Sequence, residues 1–148
     1  MVDRILVLRK LDQLEAYGRQ LSEFKNISLQ QYREDWKAQR IVERTLQIMI
    51  ETCVDITNHV IADSRMRAPK SYADSFTVLQ EKGIISKEIH AQLVGMAKFR
   101  NVIVHQYDEI DAAIVISILR NHELTFDQFR AQILGFLHHP RSDAMDHA

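Results

Sequence analysis

The sequence predicts an all-α fold, an antiparallel bundle of four to five helices, and three observations support that class. Apolar residues recur at three- and four-residue steps over most of the chain, which is the period of helices packed on one side. Only four Gly and two Pro interrupt the 148 residues. No segment shows the strict alternation of polar and apolar residues that is typical of a strand.

The first half of the chain contains two predicted helices with a short helical segment between them. Residues 3 to about 24 are predicted to form the first helix, with Asp3 as its N-cap. From Ser28, "SLQQ" has the capping-box pattern and opens a short helix through Trp36. A long helix follows or continues from it and ends near Ala62. The predicted core stripes are Ile5, Leu8, Leu11, Leu14 and Leu21, then Ile41, Val42, Leu46, Met49, Ile50, Cys53, Ile56, Val60 and Ile61.

The second half begins with a loop, "DSRMRAPK", because Pro69 disfavours helix at the residue before it. Ser71 caps a short helix, which Gly83 ends in a left-handed conformation. Ser86 caps the next helix, the acidic run "YDEID" marks a joint, and a last long helix starts from Asp111. The predicted core stripes are Ile89, Leu93, Met96, Phe99 and Ile103, then Ile114, Val115, Ile118, Leu119, Phe126, Phe129, Ile133 and Leu137.

Length and composition define the expected domain and its setting. Residues 1–137 are expected to form one helical domain, and residues 138–148 a disordered tail. No run approaches ~18 uninterrupted apolar residues, so neither a membrane span nor a signal peptide is predicted. One cysteine excludes an internal disulfide, and a cytoplasmic location is expected. The net charge of -1 argues against a broad basic face for nucleic acid, but not against a local phosphate site.

Metal and nucleophile chemistry find little support in the sequence. No Glu stands three positions before any of the seven histidines, although bundles use that spacing for metal sites. Asp55 and His59 lie one turn apart, but two ligands do not complete a site, so a hydrogen-bonded pair is favoured. Cys53 has no basic neighbour and is expected to be a core residue. No Gly-rich phosphate loop occurs, so no metal and no cofactor are predicted.

The segment "AKFRNVIVHQYDEID", residues 97 to 111, places polar side chains around three β-branched residues. Arg100 and His105 are ~140° apart around a helix, whereas Asn101 and His105 share one face. One packed flank cannot hide all three, so this helix should line a cleft or meet a second subunit. His105 can move a proton near neutral pH, and Arg100 can stabilise negative charge on phosphoryl oxygens. The set suits RNA cleavage, although a buried Arg and His bonded to local carbonyls is equally compatible with these residues.

The loop before Ser71 supplies a second group of cations. Arg65, Arg67 and Lys70 are candidates for contacts with RNA phosphates. A solvated loop is the more common fate of three such charges, so they are predicted only as secondary contacts.

The stretch "FRNVIVHQY" resembles the signature of the HEPN superfamily of helical ribonucleases, which is Arg, a polar residue, three further residues and His. Tyr107, two positions after the His, is similar to the tyrosine of the HepT-like toxins in particular. The resemblance extends through "IETCVDITNHVI", "SYADSFTVLQEKGII" and the final "FDQF" helix, and so covers about residues 36 to 137.

The resemblance implies a role for each matching position. Arg100 and His105 match the catalytic pair, and Asn101 matches the polar residue that supports it. A homodimer with a composite ribonuclease site at its interface is implied, acting on RNA without metal. An antitoxin of the MntA type, a minimal nucleotidyltransferase, is the implied partner, and it would transfer AMP from ATP to Tyr107. The added bulk and negative charge would then oppose RNA binding.

Two rival interpretations have the same sequence features. In one, the chain is a non-catalytic helical module that binds nucleotide or substrate for a minimal nucleotidyltransferase. In the other, it is a plain structural bundle, which requires Arg100 and His105 to be buried and hydrogen-bonded inside one monomer.

Overall fold

The computed structural model describes residues 2–138, and the regular secondary structure in that range is entirely helical, which confirms the all-α class. The bundle contains α1 (Arg4–Ser22), α2 (Leu29–Glu34), α3 (Trp36–Asp63), α4 (Tyr72–Glu81), α5 (Lys87–His105) and α6 (Ala112–His138), with a 3₁₀ turn at Tyr107–Glu109. Apart from His138, which ends α6, the predicted tail lies outside the described residues.

Side-chain caps set the helix boundaries, largely where the sequence predicts them. Asp35 adds a cap that the pattern did not indicate: it ends α2 and accepts a hydrogen bond from the backbone N–H of Ala38 at 3.0 Å. Because of this break, the long α3 is a separate element. Gly83 follows α4 with a φ of 71°, a left-handed value that costs glycine little. The predicted N-caps are confirmed, each accepting the backbone N–H three residues on: Asp3, Ser28, Ser71 and Ser86.

Helix α3 lies at the centre of the bundle and contacts α1, α2, α4 and α5, while α6 packs on α1, α2 and α5. The buried face of α3 carries almost the whole predicted apolar stripe, from Val42 to Ile61. On α5 the prediction is fully confirmed, since Ile89, Leu93, Met96, Phe99 and Ile103 are all buried. The apolar run that precedes His105 is therefore fixed to the core by Phe99 and Ile103.

Four apolar residues predicted for the core are instead on the surface. In three of them an adjacent residue is buried, ~100° around the helix: Val7, which the stripe omits, lies beside Leu8, and the predicted core residues Val42 and Val115 lie beside Ile41 and Ile114. Three-residue steps fall behind a helix of ~3.6 residues per turn, so a stripe drawn at that spacing leaves the core face. The exposed fractions are 73% for Ile5, 37% for Leu8, 50% for Ile41 and 48% for Ile114.

Two polar predictions on α3 have different outcomes. Cys53 is completely buried, and burial raises the pKa of its thiol, which confirms it as a core residue. The predicted hydrogen bond between Asp55 and His59 is wrong, because Oδ1 and Nε2 are 3.7 Å apart. Lys10 takes the other carboxylate oxygen of Asp55 instead, at 2.5 Å. Within the described residues, no helix is long and apolar enough to span a membrane.

Candidate functional site

The C-terminal half of α5 presents two different faces next to the core. Phe99 and Ile103 are buried, each with 8% of its surface exposed, and they fix the rotation of the helix. Arg100 therefore points toward α3 and α4, whereas Asn101 and His105 face outward. This separation agrees with the ~140° expected between Arg100 and His105 from helical geometry.

The Arg100 side chain is held by an acidic residue of α3. Its Nε donates to Oε2 of Glu51 at 2.8 Å, and its Nη2 lies 2.7 Å from the same oxygen. The side chain is 17% exposed, so the pair is partly shielded from water. Nη1 donates to Oδ1 of the adjacent Asn101 at 3.3 Å. Arg100 thus joins the interior-facing pair to a residue on the outer face.

A tyrosine from α4 packs on the same guanidinium. The Cζ atom of Arg100 lies 4.8 Å from the ring centroid of Tyr72, within the range of a cation–π contact. Tyr72 and Arg100 share an open cavity of about 510 Å³ with residues of α3, among them Glu51, Asp55 and Asn58. The guanidinium is therefore fixed by a carboxylate at one edge and by an aromatic ring over its plane.

The outer face of α5 forms a second open cavity, of about 480 Å³. It is lined by Lys98, Asn101, Val102, His105 and Gln106. Asn101 and His105, one turn apart, lie here together as the spacing predicts, and both are exposed. The exposure of His105 contradicts the structural-bundle interpretation, which needs this histidine buried.

Tyr107 lies on the turn that connects α5 to α6. Gln106 caps the end of α5, and its carbonyl accepts the backbone N–H of Glu109 at 2.8 Å, closing the 3₁₀ turn. Tyr107 is 72% exposed at the start of this turn, two residues from His105. The Tyr107 side chain is therefore accessible from solvent in the folded chain.

The basic loop is held mainly by two carboxylates of α4. Nη1 and Nη2 of Arg67 each donate to Asp74 at 2.8 Å, and Nε donates to Glu81 at 2.9 Å. These hydrogen bonds hold the pKa of both carboxyl groups below their ordinary values. Arg67 is consequently neutralised locally, which leaves Arg65 and Lys70, both exposed, as the better candidates for phosphate contacts.

Sequence reasoning missed Glu51 and Tyr72. Both lie within segments that carry the family resemblance, but neither has a local pattern that connects it with Arg100, 49 residues after Glu51. Only the packing of α3 and α4 against α5 brings them together. Over residues 2–138, no group of three or more His, Cys, Asp or Glu side chains is arranged to hold a metal ion.

Comparison with protein families matches residues 13–133 to the family described as "Ribonuclease HepT-like". The chain is 34% identical over 99 residues to an "mRNA nuclease HepT" of Shewanella oneidensis, a match that covers 67% of this chain and 74% of the relative. It is 31% identical over 112 residues to a "tRNA nuclease HepT" of Aphanizomenon flos-aquae, with 74% and 75% covered.

Solved structures of similar fold include toxins bound to antitoxins. The tri-AMPylated HEPN toxin of Shewanella oneidensis, in complex with an MNT antitoxin, has a TM-score of 0.82 and 28% identity, over 91% of this chain and 99% of that one. A toxin–antitoxin structure with AMP-PNP has a TM-score of 0.83 and 26% identity, over 89% and 99% of the two chains.

Proposed function

The chain belongs to the ribonuclease HepT-like family, and we propose that it is a metal-independent endoribonuclease toxin whose site contains Arg100, Asn101 and His105. One observation carries this proposal. The Arg100 guanidinium bonds to Asn101, which shares an exposed face with His105, so a charge-stabilising donor and a proton-transfer group border one surface. A purely structural role gives no reason for an exposed histidine beside that pair.

The chemistry follows from what these groups can do to an RNA phosphodiester. The 2′-oxygen attacks phosphorus, the bond to the 5′-oxygen breaks, and the products carry a 2′,3′-cyclic phosphate and a 5′-hydroxyl. His105 acts as general acid or base, taking the 2′-hydroxyl proton or supplying one to the leaving oxygen. Arg100 stabilises the charge that builds on the non-bridging oxygens. Asn101 orients the guanidinium through its side-chain oxygen.

We further propose that two copies of this chain complete the site. Within one chain, Arg100 and His105 line different cavities that meet at the bond from Arg100 to Asn101, so one copy does not place both groups in one cavity. Val104 and Ile114 leave apolar surface exposed near the junction of α5 and α6. Covering these side chains with a second subunit would remove them from water and set two copies of His105 near one cleft.

Control through Tyr107 is the second part of the proposal. The solved relatives include an AMPylated toxin in complex with its antitoxin. A cognate nucleotidyltransferase of the MntA type would transfer AMP from ATP to the Tyr107 hydroxyl, which is exposed and needs no unfolding to react. The phosphate would repel RNA near His105. Since RNA and ATP are intracellular, we place this reaction in the cytoplasm.

The test is RNA cleavage in excess chelator by purified wild type, His105→Ala and His59→Ala. His59 is a partly exposed histidine on α3, outside the cavity of His105, and is the matched control. We expect cleavage by the wild type and by His59→Ala, and none by His105→Ala. Equal cleavage by all three, or loss of wild-type activity when metal is removed, contradicts the mechanism.

The same preparations address the non-catalytic alternative. A binding module would be non-toxic when expressed and would retain nucleotide without cutting RNA. A nuclease would be toxic, and Arg100→Ala would remove that toxicity. Expression of the wild type without growth inhibition, together with tight nucleotide binding, would favour the module.

A further inference from the structure

Glu51 and Tyr72 form a clamp around the Arg100 side chain, and it uses only part of the guanidinium. Arg carries five N–H donors. Nε and one Nη2 hydrogen face Oε2 of Glu51, at 2.8 and 2.7 Å. One Nη1 hydrogen and the second Nη2 hydrogen form the neighbouring edge of the guanidinium, and Nη1 also donates to Asn101.

We propose that Glu51 is a positioning residue for RNA cleavage: it turns the Nη1/Nη2 edge of Arg100 toward the face that carries Asn101 and His105. This inference rests on the proposed ribonuclease function. Two parallel N–H donors at the free edge match two phosphate oxygens, which is the bidentate geometry in which Arg binds phosphate. Without the Glu51 carboxylate, rotation about the torsions of the Arg100 side chain would give this edge many orientations.

Tyr72 restricts the remaining freedom of the guanidinium. Glu51 fixes one edge but leaves the plane free to rock about the Glu51–Arg100 axis. A ring centroid 4.8 Å from Cζ covers one face of that plane. Glu51 of α3 thus fixes the edge of the guanidinium, and Tyr72 of α4 fixes its plane. The backbone of Arg100 belongs to a third helix, α5.

The negative charge of Glu51 should weaken RNA binding, and this effect makes the proposal testable. A carboxylate beside Arg100 lowers the local positive potential and weakens the initial attraction of an RNA phosphate. If Glu51 served binding alone, its removal would tighten binding and leave turnover unchanged. A positioning role predicts the opposite split, in which kcat falls and KM stays the same or falls.

The experiment measures kcat and KM on a defined transcript that the wild type cuts, for Glu51→Ala, Glu51→Gln and Glu15→Ala. For Glu51→Ala we expect kcat to fall by roughly 10- to 100-fold, the scale of a small misplacement of a catalytic group, without a rise in KM. Glu51→Gln keeps an oxygen that accepts from Nε and Nη2, so it should recover most of kcat. Glu15→Ala removes a carboxylate of α1 that pairs with Arg19 and Arg130 outside the cavity of Arg100, and it should behave as wild type.

A spectroscopic readout separates positioning from general damage. In ¹⁵N–¹H spectra, the Nε–H signal of Arg100, assigned by its loss in Arg100→Lys, should be protected from exchange with water in the wild type. It should lose that protection in Glu51→Ala while the backbone spectrum remains close to that of the wild type.

Several outcomes overturn the proposal. A wild-type or raised kcat in Glu51→Ala would mean that Glu51 is neutral or restrains Arg100 from acting. If Glu51→Ala does not fold, Tyr72→Phe and Tyr72→Ala test the second contact of the clamp. Tyr72→Phe keeps the ring and should keep the wild-type kcat, whereas Tyr72→Ala should lower it. Equal kcat values for these two variants would refute the clamp. Equal cleavage by the wild type and His105→Ala refutes the proposed ribonuclease site, whereas loss of cleavage in His105→Ala but not in Glu51→Ala refutes only the role of Glu51.

Discussion

Two variants of the proposed catalytic pair should separate activity from stability in different ways. His105 is exposed at the last residue of α5, and no hydrogen bond involves its ring among the described contacts. Its main stabilising contribution is the charge–dipole interaction at a helix C-terminus, about 0.3–1 kcal/mol when protonated. We therefore expect His105→Ala to abolish cleavage while it lowers the free energy of unfolding by less than about 1 kcal/mol.

Arg100→Ala should lose both RNA cleavage and part of the stability of the fold. It removes a side chain that is 17% exposed and leaves the Glu51 carboxylate without its two donors. Leaving a partly shielded charged group unpaired costs about 1–3 kcal/mol. Because Glu51 is 32% exposed and water can replace part of the interaction, about 2 kcal/mol is the expected loss. For a domain of this size that corresponds to a Tm lower by about 4–8 °C.

Thermal melting followed by circular dichroism measures both variants beside the cleavage assay. The reasoning fails if His105→Ala melts as far below wild type as Arg100→Ala, because that result would show a packed histidine. It also fails if Arg100→Ala melts with the wild type, because Glu51 would then gain nothing from its partner.

Three further predictions concern control, acid stability and the buried thiol. Tyr107→Phe should cleave RNA as wild type but accept no AMP at this position from the cognate nucleotidyltransferase and ATP, which intact-protein mass spectrometry and loss of protection in co-expression would detect. Arg67 lowers the pKa of Asp74 and Glu81, so the stability it adds is present above the ordinary carboxyl pKa of about 4 and is lost as pH falls through the lower folded values; urea unfolding of Arg67→Ala should differ from wild type at pH 7 and converge with it in acid. Because burial raises the pKa of the Cys53 thiol, a thiol reagent at pH 8 should react only after the chain is unfolded in urea, and rapid labelling of the native protein would contradict its position in the core.

Local patterns predicted the parts of the fold that depend on neighbours in sequence. Ser28, Ser71 and Ser86 cap helices because a hydroxyl three residues before a free N–H is sufficient, and this needs no tertiary information. The stripe on α5 was correct because its steps average the helical repeat. The predictions for Leu8 and Ile114 were wrong because a period alone does not say which of two adjacent apolar residues faces the core.

The candidate site also has a part that depends on neighbours in sequence and a part that depends on tertiary packing. The spacing of Asn101 and His105 was enough to predict a shared face, since both belong to one helix. The pairing of Glu51 with Arg100 depends on how α3 packs against α5, which no single segment encodes. How two copies of the chain meet is a still longer-range property, and it stays a prediction.

The connection between α3 and α4 is held by charge more than by apolar burial, and this makes it sensitive to ionic strength. Arg67 binds two carboxylates at the surface, and only Met66 packs from this loop against the core. Added salt weakens exposed ion pairs but leaves apolar packing intact. Trypsin should consequently cut after Arg65 or Lys70 faster in high salt while the helices resist, so the fragment pattern would show a bundle whose weakest connection responds to electrolyte before the core does.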